Sequence, residues 1–558
     1  MGADVENLVQ KDLLPKFTGS EASLAQARQW LSHCVIFHDH KRSWNSDQWK
    51  SPTRVIDIGS ATGNLEPRLI LTENKALKGG YVTLSHCWGG LQPLRLELGN
   101  VEDFQQSIPF AKLPLTFCHA IMVAQVLLVR YIWIDALCII QDSADDWGRE
   151  AEMMEMVYQR SLCNIAASDS KDGSGGLFFG RDTAAIAPFH FTCECDGALN
   201  KSFYLTNGEA SWRNQLQQSP LYRRAWVLQE QLLAPRTLHF TKEGIAWECH
   251  NFTASELYPH GLHGLRLDPT IIHLRETISQ SGSLVLADKT HERFDSSALP
   301  VDPGDFLRSW SLIVELYTEC ALTFPEDKLV AISGVTQPFA QMLGEHLAGL
   351  WRYYLPFELL WNVDPHLGGV AVRPSEYRAP SWSWASVEGP VSYIMVKEVF
   401  GMLESGIFPW AKIIDANVEY KPGSKTKVIG GSLSITGRFG QCTWRILSGF
   451  VATITSAENI GDLSGEFDGP RTMPPWDNVY IYFDEPEKVE KLERDTPWMF
   501  CLPLSANRRF SDGYCSVKGL VLRRDGKLQF WRVGVFVTQN IEAYTAMEAL
   551  AEHTISIL

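Results

Sequence analysis

Two kinds of segment alternate along residues 80–250. Short, almost wholly apolar runs such as "YVTLS", "YIWIDALCII" and "LCNIAAS" are typical of buried strands. Between them lie "LPLTFCHAIMVAQVLLV", which begins near Pro114, and "SADDWGREAEMMEMVYQRS", in which Met153, Met156 and Val157 recur at helical spacing. Strands that alternate with helices in this way predict an α/β fold, a parallel sheet flanked by helices.

The pattern changes on both sides of this core. The N-terminal part holds the amphipathic segment "EASLAQARQWLSHCVIFHDH", and "EDKLVAISGV" and "EHLAGLWRYYLPFELLW" indicate helices after the core. The last part is dominated by short alternating strands such as "SLSITGRF" and "LQFWRVGVFVT". We therefore predict an N-terminal helical and strand extension (1–75), the α/β core (76–250), a mainly helical region (251–380) and a β-rich C-terminal region (381–558).

Composition excludes several classes of protein. The formal net charge of −15 argues against a nucleic-acid partner, which would require a basic face. The apolar stretch 119–140 resembles a membrane span, but Arg130 and Asp135 would lie inside the bilayer at high cost, so no span is expected. The 12 cysteines include no CxxC pair, and we interpret them as reduced and buried, with no metal site. With no apolar signal core at the N-terminus, a cytoplasmic location is expected.

Chemistry-bearing residues follow the predicted strands. Ligands of parallel sheets gather at the carboxyl ends of strands, where Ser85, Cys87 and Trp88 follow one strand, and Gln141 and Asp142 follow the next. Ser85 and Cys87 share a strand face, whereas the intervening His86 should point the other way and form no dyad with either. Packing roles for these residues are the structural alternative.

The apolar segment "LYRRAWVLQEQLL" places a glutamate where a helix should bury its surface. Trp226 and Glu230 lie four residues apart and share a helix face. Apolar surroundings raise the pKa of such a carboxyl group, and a nearby arginine lowers it. The structural alternative is that Glu230 pairs with an arginine. Asp135, predicted in the middle of a strand, also needs a donor, and Arg224 is the candidate.

Four sequence blocks together resemble the heterokaryon-incompatibility (HET) domain of filamentous fungi. They are "YVTLSHCWGG", the segment from "LPLTFCHAIMV" to "MVYQRS", "CNIAASDS" with "GLFFGR", and "RRAWVLQEQLLAPRTLHFTKEGIAWEC". The resemblance implies a fold similar to Toll/interleukin-1 receptor (TIR) domains and a role in self/non-self recognition and regulated cell death. Enzymatic TIR domains cleave NAD with a glutamate four residues after a tryptophan, which is the spacing of Trp226 and Glu230.

One departure from the family pattern bears on metals. Members often show Cys-x3-His-x2-Cys near the N-terminus, and this chain has Cys34 and His38 but Lys41 at the third position. This departure weakens the expectation of a metal site there.

Three functions remain open. The first is an incompatibility or cell-death effector that cleaves NAD through Glu230. The second is a free-standing enzyme of fungal natural-product biosynthesis, a cyclase that holds an apolar substrate in an aromatic pocket. The third is a non-catalytic scaffold or binding protein. No cofactor is required, NAD is a candidate substrate, and the expected partners are a small molecule and a second copy bound through the TIR-like core.

The candidate residues divide by expected role. As catalytic residues we name Glu230, Asp135 and Ser85. As substrate-binding residues we name Trp88, Cys87, Gln141, Asp142, Arg224 and Trp226.

Overall fold

The structure is a computed structural model of the 558-residue chain. It divides into two compact units, Met1–Ile278 and Ser279–Leu558. The described residues are 14–38, 51–59, 66–72, 77–90, 94–187, 189–195, 198–205, 216–261, 269–281, 303–363, 371–393, 395–397, 408–448, 451–459, 479–496, 498–508, 515–525 and 529–558.

The first unit is built around an eight-stranded sheet. Its strands are β1 (Arg54–Asp57), β2 (Arg68–Leu71), β3 (Tyr81–Ser85), β4 (Tyr131–Trp133), β5 (Cys163–Ala166), β8 (Arg236–Phe240), β9 (Ile245–Cys249) and β10 (Thr253–Ser255). They lie in the order β10-β9-β8-β5-β3-β4-β1-β2. The four central strands are parallel, which confirms the predicted parallel sheet. The outer pairs are antiparallel, and one of them is the hairpin of β8 and β9 that the sequence predicts.

Helices precede, connect and follow these strands, in agreement with the α/β prediction. They are α1 (Glu21–Phe37), α2 (Val101–Gln106), α3 (Leu115–Val126), α4 (Asp135–Cys138), α5 (Ala144–Gln159), α6 (Thr183–Ile186), α7 (Ala225–Leu233) and α8 (Pro269–Ser281). A separate two-stranded ribbon pairs β6 (Phe189–Cys195) with β7 (Ala198–Leu205). The helix starts follow local chemistry: Ser20 caps α1, and Ser143 caps α5 through its side-chain oxygen.

The strand predicted over residues 131–140 is shorter than expected. β4 ends at Trp133, and the chain turns into the short helix α4 at Asp135. The Asp135 carboxylate accepts a hydrogen bond from the backbone N–H of Ala136 at 2.7 Å, a local bond that competes with strand pairing. Asp135 therefore stands at the end of a parallel strand and not in its middle.

The connections of the sheet diverge between β3 and β5. β3 is followed in the chain by α3 and β4, which lies on one side of β3, whereas β5 is followed by β8 on the opposite side. In open α/β sheets the crevice for a ligand opens at the carboxyl ends of two neighbouring strands whose connections leave in opposite directions. The order of strands thus singles out the ends of β3 and β5, at Ser85 and Ala166, as a place for a site.

The second unit begins with helices and ends in strands, as predicted. Its helices are α9 (Pro303–Thr318), α10 (Val330–Leu343), α11 (Val489–Asp495) and α12 (Ile541–Glu548), and its short paired strands are β11 (His346–Leu347) with β12 (Leu350–Trp351) and β13 (Asn362–Val363) with β14 (Val391–Ser392). Ten further strands form one sheet: β15 (Phe408–Pro409), β16 (Ala411–Tyr420), β17 (Val428–Arg438), β18 (Gly440–Ser448), β19 (Val451–Asn459), β20 (Val479–Phe483), β21 (Trp498–Arg508), β22 (Cys515–Asp525), β23 (Gln529–Thr538) and β24 (Glu552–Ile557).

One helix prediction in this unit is wrong. The segment "EHLAGLWRYYLPFELLW" forms β11, β12 and two short 3-10 helices, Arg352–Tyr354 and Phe357–Leu360. Gly349, between the two strands, has φ of 102°, a left-handed conformation that only glycine adopts without strain. The tight turn at this glycine sets the strands side by side and excludes a continuous helix.

None of the helices in the described ranges is both long enough and apolar enough to cross a membrane.

A buried arginine joins β1 to α5, the helix that carries Tyr158 of the candidate site. The Arg54 guanidinium lies 2.5 Å from the Asp146 carboxylate and 3.1 Å from that of Glu150, and the three side chains are almost fully buried. Removing one partner of such a group leaves uncompensated buried charge.

We expect Arg54→Met to lower the free energy of unfolding by about 3–5 kcal/mol, because both carboxylates lose their buried cation. Arg149→Met is the matched control: Arg149 contacts the same Asp146 carboxylate, but its side chain is 68% exposed, so its loss should cost less than about 1 kcal/mol. Urea denaturation of both variants measures the difference. Equal costs would contradict a structural role for Arg54.

Candidate functional site

The carboxyl group of Glu230 lies buried on α7, in a helix composed mostly of apolar residues. Glu230 is 6% exposed, and the Ser85 hydroxyl donates a hydrogen bond to its Oε2 atom. The Tyr158 side chain is a second hydrogen-bonding partner of this carboxyl group, and its hydroxyl also lies 3.5 Å from the Leu84 carbonyl oxygen, to which it can donate. Among the described residues none forms a salt bridge with Glu230, and Arg224 acts on it as a nearby positive charge, so the structural alternative of a direct arginine pair is not observed. Two hydroxyl groups satisfy the buried carboxyl group instead.

The orientation of Ser85 is fixed by the neighbouring strand. Asn164 of β5 donates through Nδ2 to the Ser85 Oγ atom at 2.9 Å, and its Oδ1 atom accepts from Thr83 Oγ1 at 3.0 Å. Because Asn164 donates to the serine oxygen, the single Ser85 proton is free to point at Glu230. The pairing of β3 with β5 therefore directs the hydrogen bond at the carboxyl group.

Burial sets the protonation of Glu230. Burial, together with the negative charge of Asp135, raises the pKa of its carboxyl group from an ordinary value of 4.5 to about 7. The hydrogen bonds from Ser85 and Tyr158 and the positive charge of Arg224 act in the opposite direction. Near neutral pH the group is consequently divided between its acid and base forms, the condition under which a carboxyl group serves acid–base or electrostatic catalysis.

Asp135 is the second carboxylate of the site. Its Oδ2 atom accepts a hydrogen bond from the indole N–H of Trp88 at 2.8 Å, and its Oδ1 atom lies 3.6 Å from Nδ1 of His86. The side chain is 25% exposed, so this carboxylate lies at an open side of the site. The donor proposed from the sequence, Arg224, is wrong: its guanidinium donates to the backbone carbonyl oxygen of His86.

His86 is a residue of the site that sequence reasoning missed. It is 4% exposed, its ring stacks on Trp88 at 6.2 Å between centroids, and Phe117 meets it edge-on at 4.9 Å. Among the described residues none is hydrogen-bonded to its buried Nε2 atom. Burial lowers its pKa, so the imidazole is neutral near pH 7. The sequence analysis placed His86 on the opposite strand face from Ser85. Strand alternation does not apply to His86, because β3 ends at Ser85. The "SHCW" motif at the end of the strand was the sequence feature that could have identified it.

The remaining substrate-binding candidates lie around this centre. Cys87 packs with Leu221 and Val227, and burial raises the pKa of its thiol. The half-buried Trp226 meets Trp147 of α5 edge-to-face, with ring centroids 6.1 Å apart. The predicted placement of its indole beside Glu230 remains a prediction, since the recorded ring contact is with Trp147.

The sequence predicted that Gln141 and Asp142 lie at the end of a strand, and this prediction is wrong. They follow α4, where Gln141 donates to the backbone carbonyl oxygens of Asp135 and Ile139 at 3.1 and 2.9 Å. Asp142 accepts from the backbone N–H of Leu98 at 2.8 Å. These hydrogen bonds fix the conformation of the loop after α4, so Gln141 and Asp142 help to position Asp135.

The family comparison agrees with this centre. Residues 81–230 match the family model described as Heterokaryon incompatibility protein (HET), a match that runs from the first residue of β3 to Glu230. The chain therefore contains a HET domain at residues 81–230. No curated protein and no solved structure matches it.

Two substitutions should move the pKa of Glu230 in opposite directions. Ser85→Ala removes a hydrogen bond to the carboxylate and should raise the pKa, whereas Asp135→Asn removes a negative charge and should lower it. Thr237→Val, on β8 of the same sheet and hydrogen-bonded to Arg275, is the control and should leave it unchanged. Carboxyl 13C NMR of glutamate-labelled protein, with the signal assigned by its loss in Glu230→Gln, measures all three. Shifts of the same sign in the first two would refute the geometry.

Stability should also depend on the Glu230 carboxyl group. The folded-state pKa of Glu230 lies above its unfolded value. The contribution of this group to the free energy of unfolding is therefore fully present below about pH 4.5 and is lost as pH rises to about 7. Glutamine does not titrate. We therefore expect the free energy of unfolding of Glu230→Gln, relative to that of wild type, to be about 2–3 kcal/mol higher at pH 8 than at pH 5. Urea denaturation at the two pH values tests this, with the exposed Glu152→Gln of α5 as control. A loss of stability at pH 8 would contradict it.

Proposed function

We propose that the HET domain of this chain cleaves NAD in an incompatibility or cell-death response, with Glu230 as its central catalytic group. The observation that carries the proposal is the buried Glu230 carboxyl group at the diverging ends of β3 and β5. It has hydroxyl partners and a pKa of about 7. The spacing of Trp226 and Glu230, which resembles that of NAD-cleaving TIR domains, supports the choice of substrate.

The proposed reaction is hydrolysis of the bond between nicotinamide and its ribose. The bond from the ribose C1′ atom to the ring nitrogen breaks, and its electron pair leaves with the neutral nicotinamide. The ribose develops oxocarbenium character, which the Glu230 carboxylate stabilises. Water then adds to C1′ and loses a proton to Glu230, so the products are nicotinamide, ADP-ribose and one proton.

The neighbouring groups take supporting roles in this proposal. Ser85 and Tyr158 hold the Glu230 carboxyl group in position. Asp135, partly exposed and bound by Trp88, offers a second negative charge to the nicotinamide ribose, and the neutral His86 offers its Nε2 atom as a hydrogen-bond partner. The half-buried Arg224 supplies the positive charge that a pyrophosphate requires.

Purified full-length protein should hydrolyse NAD, and Glu230→Gln should lower the rate at least about 100-fold. The rate should rise with pH up to about 7 and then level off, because the ionised carboxylate is the active form. Release of nicotinamide is followed by chromatography at two protein concentrations, since the resemblance implies self-association through the core.

Glu155→Gln is the matched control for this assay. Burial raises the pKa of Glu155 to about 7 as well, but this residue lies on α5 and is not among the groups that contact Glu230. Its substitution should leave both rate and pH profile unchanged. NAD turnover that survives in Glu230→Gln would contradict the proposal.

The raised pKa of Glu230 also supports a second candidate function. A carboxyl group that is half protonated near pH 7 is a general acid, as a cyclase of natural-product biosynthesis would use to start reaction of an apolar substrate. Such an activity would fall as pH rises through 7, the opposite of the NAD profile. Folded protein that turns over neither NAD nor any compound in a metabolite screen would favour a scaffold.

A further inference from the structure

Three potential metal ligands that are far apart in the sequence meet in the first unit. Cys34 and His38 lie at the end of α1, one helical turn apart, and Cys249 is the last residue of β9. Their ligand atoms all lie within 4.8 Å of one another, and the Cys249 Sγ atom is 3.4 Å from Nδ1 of His38. Both cysteines are buried, and His38 is half-buried.

The distances suit a tetrahedral ion. With Zn–S and Zn–N bonds of normal length, sulfur and nitrogen ligands on a tetrahedron are about 3.6 Å apart. The 3.4 Å between Cys249 Sγ and His38 Nδ1 is close to that value before any ion has drawn the groups together. Two thiolates and one imidazole are a ligand set that zinc prefers over magnesium or calcium.

The surrounding charge favours thiolates at this place. Arg236, the first residue of β8, is 2% exposed and donates through Nε to the Cys34 Sγ atom at 3.2 Å. Its other recorded partner is the carbonyl oxygen of Leu162, and the described residues include no carboxylate paired with it. A thiolate formed at Cys34 when an ion binds would therefore lie beside a buried positive charge.

Zinc binds cysteine as the thiolate, so binding should release the thiol protons and affinity should rise with pH.

We propose that Cys34, His38 and Cys249 bind a zinc ion, with a solvent molecule as fourth ligand, and that the ion fastens α1 to the sheet. Cys249 pairs with Arg236, which begins β8, so the cluster lies at the amino-terminal edge of the parallel strands. Ser85 ends β3, so Glu230 and its partners lie at the opposite edge. The ion is accordingly structural, and the inference goes beyond the proposed NAD cleavage and does not rest on it.

The site could not be recognised from the sequence because its third ligand is far from the other two along the chain. Lys41 stands where the local Cys-x3-His-x2-Cys pattern would have its second cysteine. Cys249 instead comes from a strand 211 residues after His38, and only the packing of α1 near the end of β9 brings it into reach.

Metal analysis of the full-length protein tests the proposal. Protein produced with zinc in the medium should retain about one zinc ion per chain by elemental mass spectrometry. Cys34→Ser and Cys249→Ser should each lose most of it. Cys138→Ser is the matched control, a fully buried free thiol in the same unit with no ligand neighbours in the cluster, and should keep the zinc. Zinc absent from wild type, or retained in both ligand variants, would overturn the proposal.

A second measurement uses wild-type protein alone, so that a misfolded variant cannot hide the answer. Cobalt(II) added to protein from which zinc has been removed should give the intense thiolate-to-cobalt charge-transfer absorption of a two-cysteine site. Zinc removal should also lower the thermal midpoint of unfolding, and zinc added back should restore it. A cobalt spectrum without thiolate bands, or a mass two hydrogens lower that reveals a Cys34–Cys249 disulfide, would refute the site.

Discussion

The rest of the HET domain depends on the burial of Glu230, a carboxyl group that forms no salt bridge with any described residue. Glu230 lies inside α7 among apolar residues, and water cannot solvate it. Desolvation of a carboxylate is costly, so the fold either protonates the group or surrounds it with donors. This protein does both: the Ser85 and Tyr158 hydroxyls contact the carboxyl group, and burial raises its pKa to about 7. Such a group contributes little to the stability of the fold, but its pKa suits an acid, a base or an electrostatic group in catalysis.

The positions of these donors depend on the order of the strands. Ser85 ends β3, Asn164 on the adjacent β5 holds the serine oxygen, and Asp135 follows β4 on the other side of β3. A different strand order would separate these three side chains. The site therefore depends on the parallel centre of the sheet, while the antiparallel pair β8 and β9 carries the cysteine of the proposed zinc site at the opposite edge.

Much of this core was predictable from local pattern. Apolar runs separated by amphipathic segments gave the parallel strands and their helices, and the tryptophan–glutamate spacing drew attention to Glu230. The misses have physical causes that act beyond a local window. β4 ended early because Asp135 bonds to its own backbone neighbour, and His86 escaped notice because strand alternation stops at Ser85. Cys249 joins Cys34 only through tertiary packing, which no spacing rule reveals.

The most direct test of the central claim is the titration of Glu230 in wild-type protein. An infrared difference spectrum between wild type and Glu230→Gln, recorded as a function of pH, isolates the C=O stretch of the protonated carboxyl group. A buried carboxyl group with hydroxyl partners predicts a band that disappears with a midpoint near pH 7. A group already ionised by pH 5 would mean that Glu230 is solvated or paired with a cation, and the site described here would not exist.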